Sequence, residues 1–225
     1  MKNNHHFRLL AFISAIIPIS LLLFATGSAQ LVQKSNTMPE ILKIASQISS
    51  WYVPFILIPG LALLIYLLVR TKKQEPQLFL LMTSGLVGGF VATFVLDTFR
   101  QLGVIHKWLP TDTVMLFGKM ISGPMSAELM WVTTGILYHF LNGATFGLLY
   151  VLIFGAKNWK WGVAWGLIVE FFMMTLPPMA PMTGFFGVKT GSPALFLITL
   201  IAHIGFGLTL GIVAKQLFVK NTHEK

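Results

Sequence analysis

The feature that most constrains this chain is a series of long apolar runs separated by short basic or proline-rich turns. They cover Leu9 to Thr26, Trp51 to Val69, Leu78 to about Thr98, about Leu129 to Gly155, Trp161 to Leu176, and Ala194 to Ala214. A helix rises about 1.5 Å per residue and the hydrocarbon core of a bilayer is about 30 Å thick, so runs of this length are read as spans. The reading is an all-α, multi-pass transmembrane protein with six spans. Composition agrees: 55% of residues are hydrophobic and only 10% charged, far from a soluble domain.

The net charge of +9 would point to nucleic acid in a soluble protein. Here Lys and Arg sit between apolar runs and orient helices, so no nucleic-acid partner is inferred. The lipid bilayer is the expected partner, with a protein partner or homo-oligomer left open. The N-terminus, the 70–77 and 156–160 loops and the C-terminal tail carry more positive charge than the opposite loops, Lys2, Lys157 and Lys225 among them, against Lys34, Lys43, Arg100, Lys107, Lys119 and Lys189 opposite. Both termini are therefore predicted cytoplasmic, in a cell inner membrane. The chain has no cysteine, which excludes disulfides, thiolate zinc and iron–sulfur clusters.

Three regions follow. Residues 1–76 hold two helices, the first a cleaved signal or, preferred for its length, an uncleaved anchor, with Gly27-Ser28-Ala29 behind it. Residues 31–49 are amphipathic and suggest a short interfacial helix before the second span, which Pro54 and Pro59 could kink. Residues 77–217 form the core, and 218–225 a short cytoplasmic tail.

Within the core one pattern occurs twice. His139-Phe-Leu-Asn-Gly143-Ala-Thr145-Phe-Gly147 and His203-Ile-Gly-Phe-Gly207-Leu-Thr209-Leu-Gly211 share H-x3-G-x-T-x-G, in the fourth and sixth spans. The third and fifth spans carry Gly85-x3-Gly89 and Gly162-x3-Gly166, with Asp97 and Glu170 on the same faces. Close backbone approach at glycine is how membrane helices pack, so spans three to six are predicted to form a four-helix bundle of two tandem hairpins. Spans one and two are then peripheral.

A face that packs through glycine is buried, so the ionisable residues point into the bundle. Counting rise from the cytoplasmic ends pairs Glu170 with His203 near the midplane and Asp97 with His139 nearer the outer surface, in a cup pinched inside and open outward. The outer 99–128 and 177–193 loops, rich in Pro, Gly, Met and aromatics, read as interfacial belts or a lid. His106 and Asp112 are expected to face headgroups, and Met173, Met174, Met179 and Met182 to fill space rather than bind copper.

Intramembrane ionisable residues mark pathways, cofactors or paired structural contacts. Three readings result. The first is a non-enzymatic accessory membrane protein with a buried polar site. The second is proton- or cation-linked transport. The third is haem or metal redox, where His139, His203 and Glu170 would be the ligands; no cofactor is assigned. No hydrolase, kinase or phosphate-loop motif occurs, and enzymatic activity is not assigned.

The segment from Tyr138 to Ala214, with His139, Tyr150, Trp161-Gly162, Gly166, Pro177, Pro178 and His203, resembles the YagU-like group of small bacterial inner-membrane proteins. The resemblance covers the C-terminal third and implies location more than activity.

Overall fold

The computed structural model describes residues 5–32 and 37–223. Lys2, Lys34 and Lys225, used above for orientation, lie outside the described residues. Among these the chain is helical without strands: α1 (His5–Gly27), α2 (Met38–Tyr52), α3 (Ile58–Gln74), α4 (Pro76–Ile105), α5 (Thr113–Ser122), α6 (Glu128–Phe154), α7 (Trp159–Thr175), α8 (Met179–Thr183) and α9 (Ala194–His223). Five helical segments are long and apolar enough to cross a bilayer, and α7 with the segment bent 58° from it makes a sixth. The protein is an all-α multi-pass membrane protein.

Local chemistry sets several boundaries. Pro76 opens α4 in the first turn, where its missing N–H costs no helical bond. Asn158 caps α7 by accepting from the Lys160 N–H at 3.2 Å. Gly155, at φ +75°, ends α6 in the left-handed region open to glycine.

Two boundaries differ from the sequence expectation. Rather than an interfacial helix followed by a separate span, α2 and α3 form one 37-residue helix from Met38 to Gln74, joined by the π-helical turn Val53–Leu57. That wider turn contains Pro54, whose missing N–H a regular α-helix would have to leave open. The expected tail is also helical, since α9 runs on to His223.

The four core helices pack in the order α6–α4–α9–α7, and α6 barely touches α7. Glycine makes these seams. A methyl at Gly89 would overlap the Gly143 carbonyl, and one at Gly162 the Gly207 carbonyl. The N-terminal helices attach to the α6 side: Tyr138 of α6 donates to the Pro18 carbonyl at 2.9 Å, and Tyr52 to the Ile17 carbonyl at 3.1 Å.

The loop after α4 folds back into the protein. Trp108 and Leu109 N–H groups both reach the Gly103 carbonyl, turning the chain along α4. Helix α5 then climbs out antiparallel to α6, with Gly118 against the Trp131 carbonyl and Gly135 against the Val114 carbonyl. The N-terminus of α5 is consequently its deeper end. Such backbone is tolerated at membrane depth only when buried in protein, as here between α6 and α2.

Candidate functional site

Two acid–histidine pairs form. His139 Nε2 of α6 lies 3.0 Å from Asp97 Oδ1 of α4, and His203 Nδ1 of α9 lies 2.8 Å from Glu170 Oε2 of α7. The helix seams place them. From Gly89 to Asp97 and from Gly162 to Glu170 is eight positions, and from His139 to Gly143 and His203 to Gly207 is four. Gly89 meets Gly143 and Gly147 as Gly162 meets Gly207 and Gly211, so Gly162 occupies the place of Gly89 rather than of Gly85.

The expected difference in height between the pairs is not found. Across α4 and α9, Gly88 faces Leu210 and Ala214, Gly205 faces Val95 and Phe99, and Gly103 faces Ile198. Asp97 is therefore level with Gly205, two residues or about 3 Å from His203. Depth counting fails because the helices do not start in one plane. Gly211 meets Asn158 and Trp159 at the α6–α7 turn, and α9 continues about 18 Å beyond that turn to His223.

The surroundings of the two pairs differ. Asp97 also accepts from Arg100 Nε at 2.7 Å, and Arg100 reaches Asp112 through a terminal guanidinium nitrogen. Asp112 caps α5, accepting from the N–H groups of Val114 and Met115 at 3.0 and 3.4 Å. Arg100 is buried, and Asp112 belongs to this network rather than to the headgroup layer; His106 instead stacks, exposed, on Trp108. Around the second pair, Thr199 Oγ1 donates to Glu170 Oε1 at 2.8 Å. His203 Nδ1 is directed at the Thr199 carbonyl, 2.9 Å away. A carbonyl only accepts, so Nδ1 carries the hydrogen and Nε2 is the ring nitrogen turned away from both partners.

Between α6 and α7 lies a cavity of about 400 Å³, within the range of small-molecule sites. Its polar lining includes His139, Asn142, Arg100, Thr199 and His203; Asp97 and Glu170 stand behind the histidines and do not line it. The rest is apolar and aromatic, with Phe146, Trp165 and Phe206 among it. Side-chain oxygen Oδ1 of Asn142 is buried without a hydrogen bond, and neither His139 Nε2 with Asp97 nor Glu170 Oε2 with His203 is aligned to make one.

The cavity is not the outward-opening cup expected. At the end carrying the α6–α7 turn, Trp165 Nε1 donates to the Phe146 carbonyl at 3.1 Å and pins α7 to α6. At the opposite end Leu109, Met174, Met179, Leu195 and Ile198 cluster, so the two loops meet and cover it. The methionines there pack against apolar neighbours. The exposed part of the rim is formed by Leu23 of α1, by Ile168 and Phe172 of α7 and by Leu176 just past its end.

All eight packing glycines lie in helix seams: Gly85 against Gly147, Gly89 against Gly143 and Gly147, Gly162 against Gly207 and Gly211, and Gly166 against His203. Sequence reasoning overlooked Arg100, Asn142 and Gly118. The first two each lie three residues from a recognised site residue, on the same helix face. Gly118 carries no signal until α5 is known to touch α6.

Searches against family models, curated proteins and solved structures returned no match. Function therefore rests on the site. Among the described residues no three His, Asp or Glu side chains converge as a metal site would need; His139 and His203 each have a carboxylate of their own.

Proposed function

We propose that this is a non-enzymatic accessory protein of the bacterial inner membrane that binds a lipid-soluble molecule in the cavity between α6 and α7. The observation that carries the reading is a mostly apolar cavity of about 400 Å³ whose exposed rim is apolar, with Leu23, Ile168 and Phe172 on membrane-spanning helices and Leu176 just past α7. A ligand dissolved in the bilayer enters such a site without crossing water, and burial of its apolar surface supplies the affinity. The YagU-like resemblance and the positive charge near both termini support an inner-membrane location with cytoplasmic termini.

Extraction and mass spectrometry of protein purified in mild detergent test this. A stoichiometric apolar compound is expected with the parent protein and is lost in Ala202→Trp, which fills the cavity beside His203. Equal, non-stoichiometric lipid in both would overturn the reading.

Proton-linked transport draws on one observation, a carboxylate within 3.0 Å of each histidine inside the membrane-spanning bundle. Proton flux in proteoliposomes, compared between parent, His139→Ala and Glu170→Gln, tests it; no flux in any of them removes it.

A further inference from the structure

We infer that the cavity takes a quinone-type ring, a flat apolar ligand with an oxygen at each end, one oxygen meeting His139 and the other His203. This rests on the binding reading above and names the ligand's polar chemistry.

The order of groups around the cavity carries the inference. On each side an imidazole faces the cavity and a carboxylate stands behind it: Asp97 behind His139 and Glu170 behind His203. A histidine with one nitrogen turned inward to protein partners offers the other to a ligand. For His203 the inward nitrogen is Nδ1, directed at the Thr199 carbonyl and 2.8 Å from Glu170 Oε2, and Nε2 has no protein hydrogen bond among the described residues. For His139 the inward nitrogen is Nε2, 3.0 Å from Asp97 Oδ1. The two rings come from α6 and α9, which both pack on α4 but barely touch each other. Neighbouring helix axes lie about 8–10 Å apart, so α6 and α9 leave room for a ring between their histidines. Both histidines are at nearly one height, as the α4–α9 contacts require.

Other lipid-soluble ligands fit less well. A phosphate or carboxylate head would need a free cation, but Arg100, the cavity's one charged lining residue, already pairs with Asp97 and Asp112. A lipophilic cation would meet imidazoles and that guanidinium, because the carboxylates are screened behind them. A single hydroxyl would engage one histidine and leave the other without a partner, at the cost of an unmatched buried polar group. A ring with two opposed oxygens serves both.

Calorimetric titration of the full chain in detergent tests the inference with three probes. They are a 1,4-benzoquinone with one prenyl unit, the same prenylated ring without its two oxygens, and short-chain phosphatidylglycerol. The quinone is expected to bind one to one, at least tenfold more tightly than the oxygen-free ring. His139→Phe and His203→Phe should each remove that advantage while leaving the oxygen-free ring bound as before. Should a histidine variant not purify, Asp97→Asn, which keeps the ring but loses its charged backing, is expected to weaken the quinone alone by several-fold. Equal binding of both rings, unchanged quinone affinity in the variants, or preference for phosphatidylglycerol would overturn the quinone assignment and leave lipid-soluble ligand binding standing. Failure of all three probes to bind would remove both.

Discussion

The α4–α6 and α7–α9 hairpins use the same seam and diverge above it. In both, glycine backbones meet below an acid that touches a histidine at 2.8–3.0 Å. In the first, Asp97 to His139 spans 42 positions; in the second, Glu170 to His203 spans 33. The longer connection contains α5, whose N-cap Asp112 reaches Arg100. The first pair thereby joins a network with Arg100 and Asp112, its acid 24% exposed, whereas the second is sealed, with Glu170 3% exposed and a threonine as its other partner. Shared helix geometry positions the ionisable groups; the loop decides their electrostatic company.

The strongest way to break this comparison is at the seam. Gly89→Leu and Gly162→Leu should both abolish a monodisperse protein in size-exclusion chromatography. Each places a side chain where a backbone carbonyl of the facing helix already lies, an overlap beyond the usual 1–3 kcal/mol of overpacking. If one is tolerated and the other is not, the two seams are not equivalent.

Arg100→Leu comes next. It leaves Asp97 and Asp112 without their shared cation, and losing one partner of a buried pair costs about 3–5 kcal/mol. A fall in thermal stability is expected, partly restored by adding Asp112→Leu, which removes one of the stranded charges. No recovery in the double variant would show that Asp112 matters through its cap rather than through the network.

Asp112→Ala alone should cost less. It loses the α5 cap, worth about 1 kcal/mol, together with one of the two Arg100 contacts. Hydrogen exchange should show the first turn of α5 opening while α7 and α9 are unaffected. Thr199→Val, its counterpart in the sealed half, is expected to have the smallest effect, about 1 kcal/mol from one hydrogen bond to Glu170, read as a small shift in melting temperature.

Much of this protein was legible in its residues. Apolar run length specifies the spans, and four-residue spacing puts glycine, acid and histidine on one helix face, because both follow from a single helix's geometry. The partners of Asp97 and Glu170 follow from counting rise along neighbouring helices, while the register of the glycine seams, with Gly162 in the place of Gly89, is set only by the contacts. Arg100 was misread as a loop charge because nothing local shows that α4 extends past it or that α5 returns to meet it.

The sequence by itself determined the membrane class, the helices and the side chains each helix turns inward. Only the tertiary structure decided that both pairs share one height, that the loops close the end expected to be open, and that α6 and α7 part to leave the cavity. The reason is that relative helix height depends on which residues touch across a seam. That is a property of two helices, and no count of residues along one of them contains it.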